Sequence, residues 1–88
     1  MRHSVTLVTS PGCHYCSHAR EVLERVGADV PLDVSEIDLA SPDGAAAQRR
    51  WRAPYPPLLL IDGELFGYGR ISERKLRKVL ASRVEGSG

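Results

Sequence analysis

The sequence lacks any long hydrophobic run and any excess of charge of one sign. The longest apolar run covers only Leu58 to Ile61, whereas a transmembrane helix needs about 20 apolar residues. Twelve Lys and Arg residues against eleven Asp and Glu residues leave a net charge of +1. No strong electrostatic field is therefore available to recruit nucleic acid or a membrane surface. These absences predict a soluble domain that binds neither nucleic acid nor a membrane.

A secretory signal and additional cysteines are also missing. The N-terminus shows no succession of a basic segment, an apolar stretch and a small-residue cleavage site, so we expect a cytoplasmic location. The 88 residues contain only two cysteines, Cys13 and Cys16. A reducing compartment disfavours a permanent structural disulfide. An isolated C-x-x-C pair therefore indicates a catalytic or a metal-binding role.

Hydrophobic periodicity predicts seven elements in a single α/β domain. Their order is β-α-β-α-β-β-α, which implies a four-stranded mixed sheet flanked by three helices. The first helix is expected to begin at Cys13 and to end at Gly27. The predicted domain covers residues 1–84, and residues 85–88 are predicted to form a flexible tail. The expected strands are His3–Thr9, Pro31–Asp38, Leu58–Ile61 and Glu64–Gly67, and the other two helices begin at Ser41 and Ser72.

The position and spacing of the two cysteines favour thiol chemistry. A thiol attacks a disulfide only as its thiolate, and a helix N-terminus, where Cys13 is expected, favours an anion. Cys16 lies almost one helical turn further on, so both sulfurs face the same side and can form a disulfide. Cys13 is therefore predicted to attack, and the deeper Cys16 to resolve the mixed disulfide.

Two other interpretations of the cysteine pair stay open. A structural disulfide closing so short a loop would contribute only about 2 kcal/mol. A closed zinc site needs four ligands, and only His14 and His18 lie nearby on the same helix. A site shared between two chains could still hold zinc or an iron–sulfur cluster through two thiolates from each chain.

A proline-rich loop, Pro54-Tyr55-Pro56-Pro57, precedes the buried third strand. Such a loop can simply be a rigid stop before a strand. Alternatively, Pro57 is cis and lies against the two sulfurs, because X-Pro bonds are the peptide bonds that adopt the cis form.

Together these motifs resemble those of the glutaredoxin-like proteins of the thioredoxin superfamily. The resemblance spans His3 to about Ala81 and rests on T-x-P-x-C-x-Y-C at Thr9 to Cys16, a proline before a strand ending I-D-G, and the last hairpin and helix. It implies a thioredoxin fold. It also assigns Cys13 as the nucleophile, Cys16 as the resolving cysteine and Pro57 as a cis-proline beside the site. Tyr15, Pro56, Pro57, Gly67 and Tyr68 would then form the substrate-binding surface.

Three positions differ from the glutaredoxin pattern. Pro56 lacks the backbone N–H that such proteins offer to a thiol peptide such as glutathione. Ser10 stands where a basic residue is common, and Arg70 stands where an acidic residue is usual. Two interpretations of Tyr68 and Arg70 therefore stay open. Either they serve another low-molecular-weight thiol or a protein partner, or they are an edge-packed tyrosine and a solvated cation.

The sequence thus predicts a thiol–disulfide oxidoreductase that uses Cys13 and Cys16 on a disulfide of a protein or a small thiol. The alternative is an iron–sulfur cluster or metal carrier that bridges two chains through the cysteines. For the oxidoreductase we expect a monomer with no metal site and no tightly bound cofactor. Its electron donor would be a reductase or an external thiol, either glutathione or another low-molecular-weight thiol.

Overall fold

The four strands form one mixed sheet, as predicted. In the computed structural model, which describes residues 3–86 and the side chains of 3–82, the strands are β1 (His3–Thr9), β2 (Leu32–Asp38), β3 (Leu58–Ile61) and β4 (Glu64–Tyr68). Their order is β2-β1-β3-β4. β1 is parallel to β2 and antiparallel to β3, and β3 is antiparallel to β4. β1 and β3 are therefore central, and β2 and β4 are the edge strands.

The three helices follow β1, β2 and β4, as predicted, with two differences at their ends. They are α1 (His14–Asp29), α2 (Pro42–Trp51) and α3 (Glu73–Gly86). The prediction that Gly27 ends α1 was wrong. The helix continues until the chain approaches Pro31, because the residue before a proline disfavours helical backbone. α3 includes residues 85–86, which were assigned to the tail, and residues 87–88 lie outside the described range.

α2 begins where its sequence predicts. The Ser41 hydroxyl accepts the Gly44 N–H at 3.1 Å, and Pro42 occupies the first helical turn. Gly44 is buried against the chain that leaves β2, and a Cβ atom there would collide with the carbonyl oxygen of Asp38. The glycine therefore allows the helix backbone to approach the sheet closely.

Apolar side chains cover both faces of the sheet. Val5 and Leu7 of β1 point to one face, where they join the apolar stripes of α1 and α3. Val8 points to the opposite face and packs with Leu58, Ala53 and part of α2. The larger core comprises Val5, Leu7, Ala19, Val22, Leu23, Val26, Leu59, Ile61, Ile71, Leu76 and Leu80. This packing fixes the carboxyl end of β1, where the cysteines follow.

Candidate active site

The two cysteines form a disulfide at the start of α1. Cys13 is the N-cap of the helix, with extended backbone (φ −89°, ψ 114°), and its Cα lies 5.2 Å from that of Cys16. Only 1% of Cys16 is exposed, whereas Cys13 is half-buried and faces solvent on one side. A molecule approaching from solvent therefore meets the Cys13 sulfur first.

The local backbone stabilises negative charge at Cys13. Its Sγ accepts the backbone N–H of Cys16 at 3.2 Å, as the side-chain oxygen of an ordinary N-cap residue does. The N-terminus of α1 adds the partial positive charge of its aligned peptide groups. When the disulfide is reduced, these same groups favour the Cys13 thiolate over the thiol.

A depression of about 400 Å³ lies beside Cys13. Besides the turn before the helix, it is lined by His14, Ser17 and Arg20 of α1. Ser17 and Arg20 are not among the site residues predicted from the sequence. Their positions four and seven residues after Cys13 are the signal that could have done so, since such spacings fall on one helical face.

Arg20 is held in place at this depression by β2. Its guanidinium donates two hydrogen bonds of 2.8 Å to the Glu36 carboxylate, and the Thr9 hydroxyl donates a third, at 3.3 Å. The hydrogen bonds from Arg20 hold the pKa of Glu36 below its ordinary value. The network ties α1 to the carboxyl end of β1, where the cysteine turn begins.

The proline loop reaches the same end of the sheet as the cysteines. Leu58 pairs with Val8, so Pro57 comes next to Thr9, the last residue of β1. The Pro56–Pro57 peptide bond is cis, and Pro57 is buried. Its carbonyl oxygen accepts the Gly69 N–H at 2.8 Å, which joins the start of β3 to the end of β4.

An exposed aromatic pair covers this junction. Tyr55 and Tyr68 are in edge-to-face contact, with ring centroids 5.4 Å apart, and they are 52% and 42% exposed. Gly69 makes the contact possible: it has a positive φ of 71°, and an added Cβ would lie 2.7 Å from Cε2 of Tyr55. Tyr55 was not predicted as a site residue, because nothing in the sequence shows which ring packs on a glycine.

The predicted substrate-binding residues thus form two groups at one end of the sheet. Pro57, Gly67 and Tyr68 are brought together by the pairing of β3 with β4, and the half-buried Pro56 precedes them. Tyr15 lies between the cysteines and is 49% exposed. Tyr68 lies on the edge strand β4 and contacts the ring of Tyr55. Arg70 is exposed, which is compatible with both interpretations of this residue.

Neither a metal-ligand cluster nor a membrane-spanning helix is found in residues 3–86. In this range no group of three or more His, Cys, Asp and Glu side chains converges on a common point. No helix there is both long and apolar enough to cross a bilayer. A metal ion or cluster shared between two chains stays a prediction.

Comparison with known sequences gives the family. Residues 4–81 match the family described as Glutaredoxin-like domain (DUF836). The chain belongs to this family. Uncharacterized proteins of Mycobacterium tuberculosis and Mycobacterium bovis are 28% identical to it over 88 residues, covering 98% of this chain and 91% of theirs.

Solved structures confirm the predicted thioredoxin fold of this glutaredoxin-like domain. A thioredoxin-like protein from Clostridium perfringens has a TM-score of 0.71 at 15% identity, covering 92% of this chain and 70% of that protein. Mitochondrial thioredoxin 3 from Saccharomyces cerevisiae, in its oxidized form, has a TM-score of 0.64 at 16% identity, covering 91% and 77%. The C-x-x-C disulfide and the glutaredoxin-like family together support a thiol–disulfide oxidoreductase-like function in general.

Proposed function

We propose that this protein catalyses dithiol–disulfide exchange, with Cys13 as the nucleophile and Cys16 as the resolving cysteine. The observation that carries the proposal is the asymmetry of the pair. Cys13 caps the helix and is reachable from solvent, whereas Cys16 is 1% exposed. The substrate is a disulfide of a protein or of a small thiol.

In the first step the reduced enzyme attacks the substrate disulfide. The Cys13 thiolate forms a bond to one substrate sulfur, and the S–S bond of the substrate breaks. The second substrate sulfur leaves as a thiolate and takes a proton from solvent. The product is a mixed disulfide at Cys13.

In the second step Cys16 releases the other half of the substrate. Cys16 loses its proton, and its sulfur attacks the Cys13 sulfur and displaces the remaining substrate thiolate. The enzyme now carries the Cys13–Cys16 disulfide, which is the state of this structure. Two electrons have passed to the substrate, and an external thiol or a reductase must supply two electrons to restore the dithiol.

The surface formed by Pro57, Gly67 and Tyr68 is proposed to hold the substrate beside Cys13. Pro56 has no N–H, so the residue before the buried proline offers a substrate only its carbonyl group. Glutathione would therefore lose one backbone hydrogen bond here. We propose that the better substrate is one whose binding does not depend on this second backbone hydrogen bond, either a protein disulfide or a low-molecular-weight thiol other than glutathione.

Disulfide trapping tests the proposal directly. The Cys16→Ser variant lacks the resolving thiol, so a substrate should remain covalently bound to Cys13 and be released by dithiothreitol. The matched control is Cys13→Ser, which keeps Cys16 and should trap nothing. Mass spectrometry of both variants isolated from cells identifies the bound thiol or protein. Equal trapping by the two variants, or none by Cys16→Ser, would overturn the assignment of roles.

A further inference from the structure

A groove with an apolar floor and a cationic rim lies between β4 and α3. Its volume is about 430 Å³. Phe66, Ile71 and Val79 form its apolar part, and Arg70, Lys75 and Lys78 supply three positive charges. We call this feature, lined also by Gly67 and Ser72, the cationic groove.

The three cations of the groove carry no internal counter-charge. No ion pair joins Arg70, Lys75 or Lys78 to a carboxylate within positions 3–82, where the side chains are described. Side chains of one sign around a concave apolar surface raise the local potential and attract an anion. The apolar floor favours a ligand that has a hydrocarbon part beside its charge.

The groove begins next to the proposed substrate surface. Arg70 directly follows Gly69, whose N–H is bonded to the Pro57 carbonyl. Arg70 also lines a second cavity, which extends toward His18 and Val22 of α1. From Ser72 to Lys78 the groove follows α3 for about 9 Å, given 1.5 Å per helical residue. This length accommodates about three residues of an extended chain.

We propose that the cationic groove binds anionic groups of the substrate, so that the protein prefers disulfides flanked by carboxylates or similar anions. This inference rests on the proposed function, because the groove would act by holding a disulfide at Cys13. The shared chemistry is an anion joined to an apolar body. Its source is either acidic residues near a cysteine of a protein or the acid group of a small thiol.

The test compares matched disulfides in single turnovers. Pre-reduced protein is mixed with disulfide-linked peptides that contain two Glu residues near the cysteine, or two Gln residues at the same places. A second pair is 3,3′-dithiodipropionate and the neutral 2-hydroxyethyl disulfide. Acid quenching and mass spectrometry give each rate, which is divided by the rate of the same disulfide with dithiothreitol to remove intrinsic reactivity.

We expect the acidic disulfide to react about tenfold faster than its neutral partner at low salt. The ratio should approach one near 0.5 M salt, because screening weakens exposed charges. It should also approach one in the variant Arg70→Gln/Lys75→Gln/Lys78→Gln, since each cation is expected to contribute about twofold to the preference. A preference confined to the peptide pair indicates a protein substrate, and one confined to the small pair indicates a small acidic thiol.

A charge-matched control separates the groove from general attraction. Arg49→Gln/Arg50→Gln/Arg74→Gln removes the same charge from exposed positions that do not line the groove, and it should keep the preference. Equal rates for acidic and neutral disulfides in the wild type, or an equal loss in both triple variants, would overturn the groove assignment alone. Failure to reduce either disulfide would instead refute the proposed function.

Discussion

The two sides of α3 carry charges that are arranged in opposite ways. Toward α1, Glu73 accepts hydrogen bonds from Arg25 at 2.8 Å and Arg77 at 3.1 Å. Arg77 also reaches Asp29 at 2.8 Å. Toward β4, Lys75 and Lys78 face the cationic groove, and no ion pair involves them within the described side chains.

This difference separates a structural surface from the proposed binding surface. On the side facing α1, each charge is neutralised by a neighbour, so the network holds two helices together and presents little net potential to a ligand. On the β4 side, charges of one sign are left for a ligand to neutralise. The helix begins at the disulfide end of the molecule, so we expect one side to contribute to stability and the other to the proposed recognition of substrate.

The largest expected effect comes from removing the nucleophile. Cys13→Ser should abolish disulfide exchange, because a serine hydroxyl forms no disulfide, while the urea midpoint of the reduced protein should change little. Glu73→Gln should do the reverse, lowering the midpoint and retaining exchange. Activity assays and urea unfolding of both variants check the separation. Disulfide exchange by Cys13→Ser at the wild-type rate would contradict the role assigned to Cys13.

The second prediction concerns Gly69, which joins the substrate surface to the start of the groove. Gly69→Ala should lower the free energy of unfolding by about 1–3 kcal/mol, because it combines a positive φ with a collision against the half-exposed ring of Tyr55. Urea unfolding measures the loss. Adding Tyr55→Ala should recover part of it, since the collision disappears.

Two other glycines separate the causes of that loss. Gly12 has a φ of 73° but open space around it, so Gly12→Ala should lower the free energy of unfolding by only about 1 kcal/mol. Gly67→Ala has neither a positive φ nor a close neighbour, and it should change stability less. Equal losses at Gly12 and Gly69 would show that the contact with Tyr55 has no energetic weight.

The fold and the reactive pair could be predicted because their signals are local. A segment rich in β-branched residues predicted β1, Ser41 and Pro42 predicted the start of α2, and Asp62-Gly63 predicted the hairpin. The C-x-x-C spacing on a helix start gave the disulfide. Each of these depends on neighbours within a few residues, where backbone geometry limits the possibilities.

The remainder of the site depends on contacts between distant residues. Tyr55 meets Tyr68 only through the pairing of β3 with β4, and Arg20 meets Glu36 only because α1 crosses beside β2. The cationic groove likewise joins Phe66 to residues of the last helix. No local sequence pattern predicts these contacts. At the end of α1 a local signal was misleading: Gly27 lies inside the helix, although glycine commonly ends one.

The third prediction tests the paired side of α3. Glu73→Gln removes the carboxylate that accepts from both Arg25 and Arg77, and these hydrogen bonds hold its pKa below the ordinary value. The urea midpoint should fall modestly at low salt and less at high salt, because exposed pairs are screened. Arg74→Gln, on the same helix but in no ion pair of the described side chains, should shift it less. Identical shifts of the urea midpoint in the two variants would show that the ion pairs of Glu73 do not stabilise the fold.

The smallest expected effect concerns the single pair formed by Glu36 and Arg20 near Cys13. Because the pKa of Glu36 is lowered in the folded protein, its contribution is fully present above the ordinary value of 4.5. It is lost as the pH falls below 4.5 and passes the folded value. Glu36→Gln should therefore weaken the decline in stability below pH 4.5, measured by urea unfolding between pH 3 and pH 7. Glu21→Gln, an exposed change on α1, should leave more of that decline in place.

Since Arg20 also lines the depression beside Cys13, Glu36→Gln frees a cation at the site. If the dependence of stability on pH were unchanged and acidic disulfides reacted faster, the pair would limit substrate recognition rather than add stability. Its ion pair would then belong with the recognition surface, unlike the ion pairs between α1 and α3.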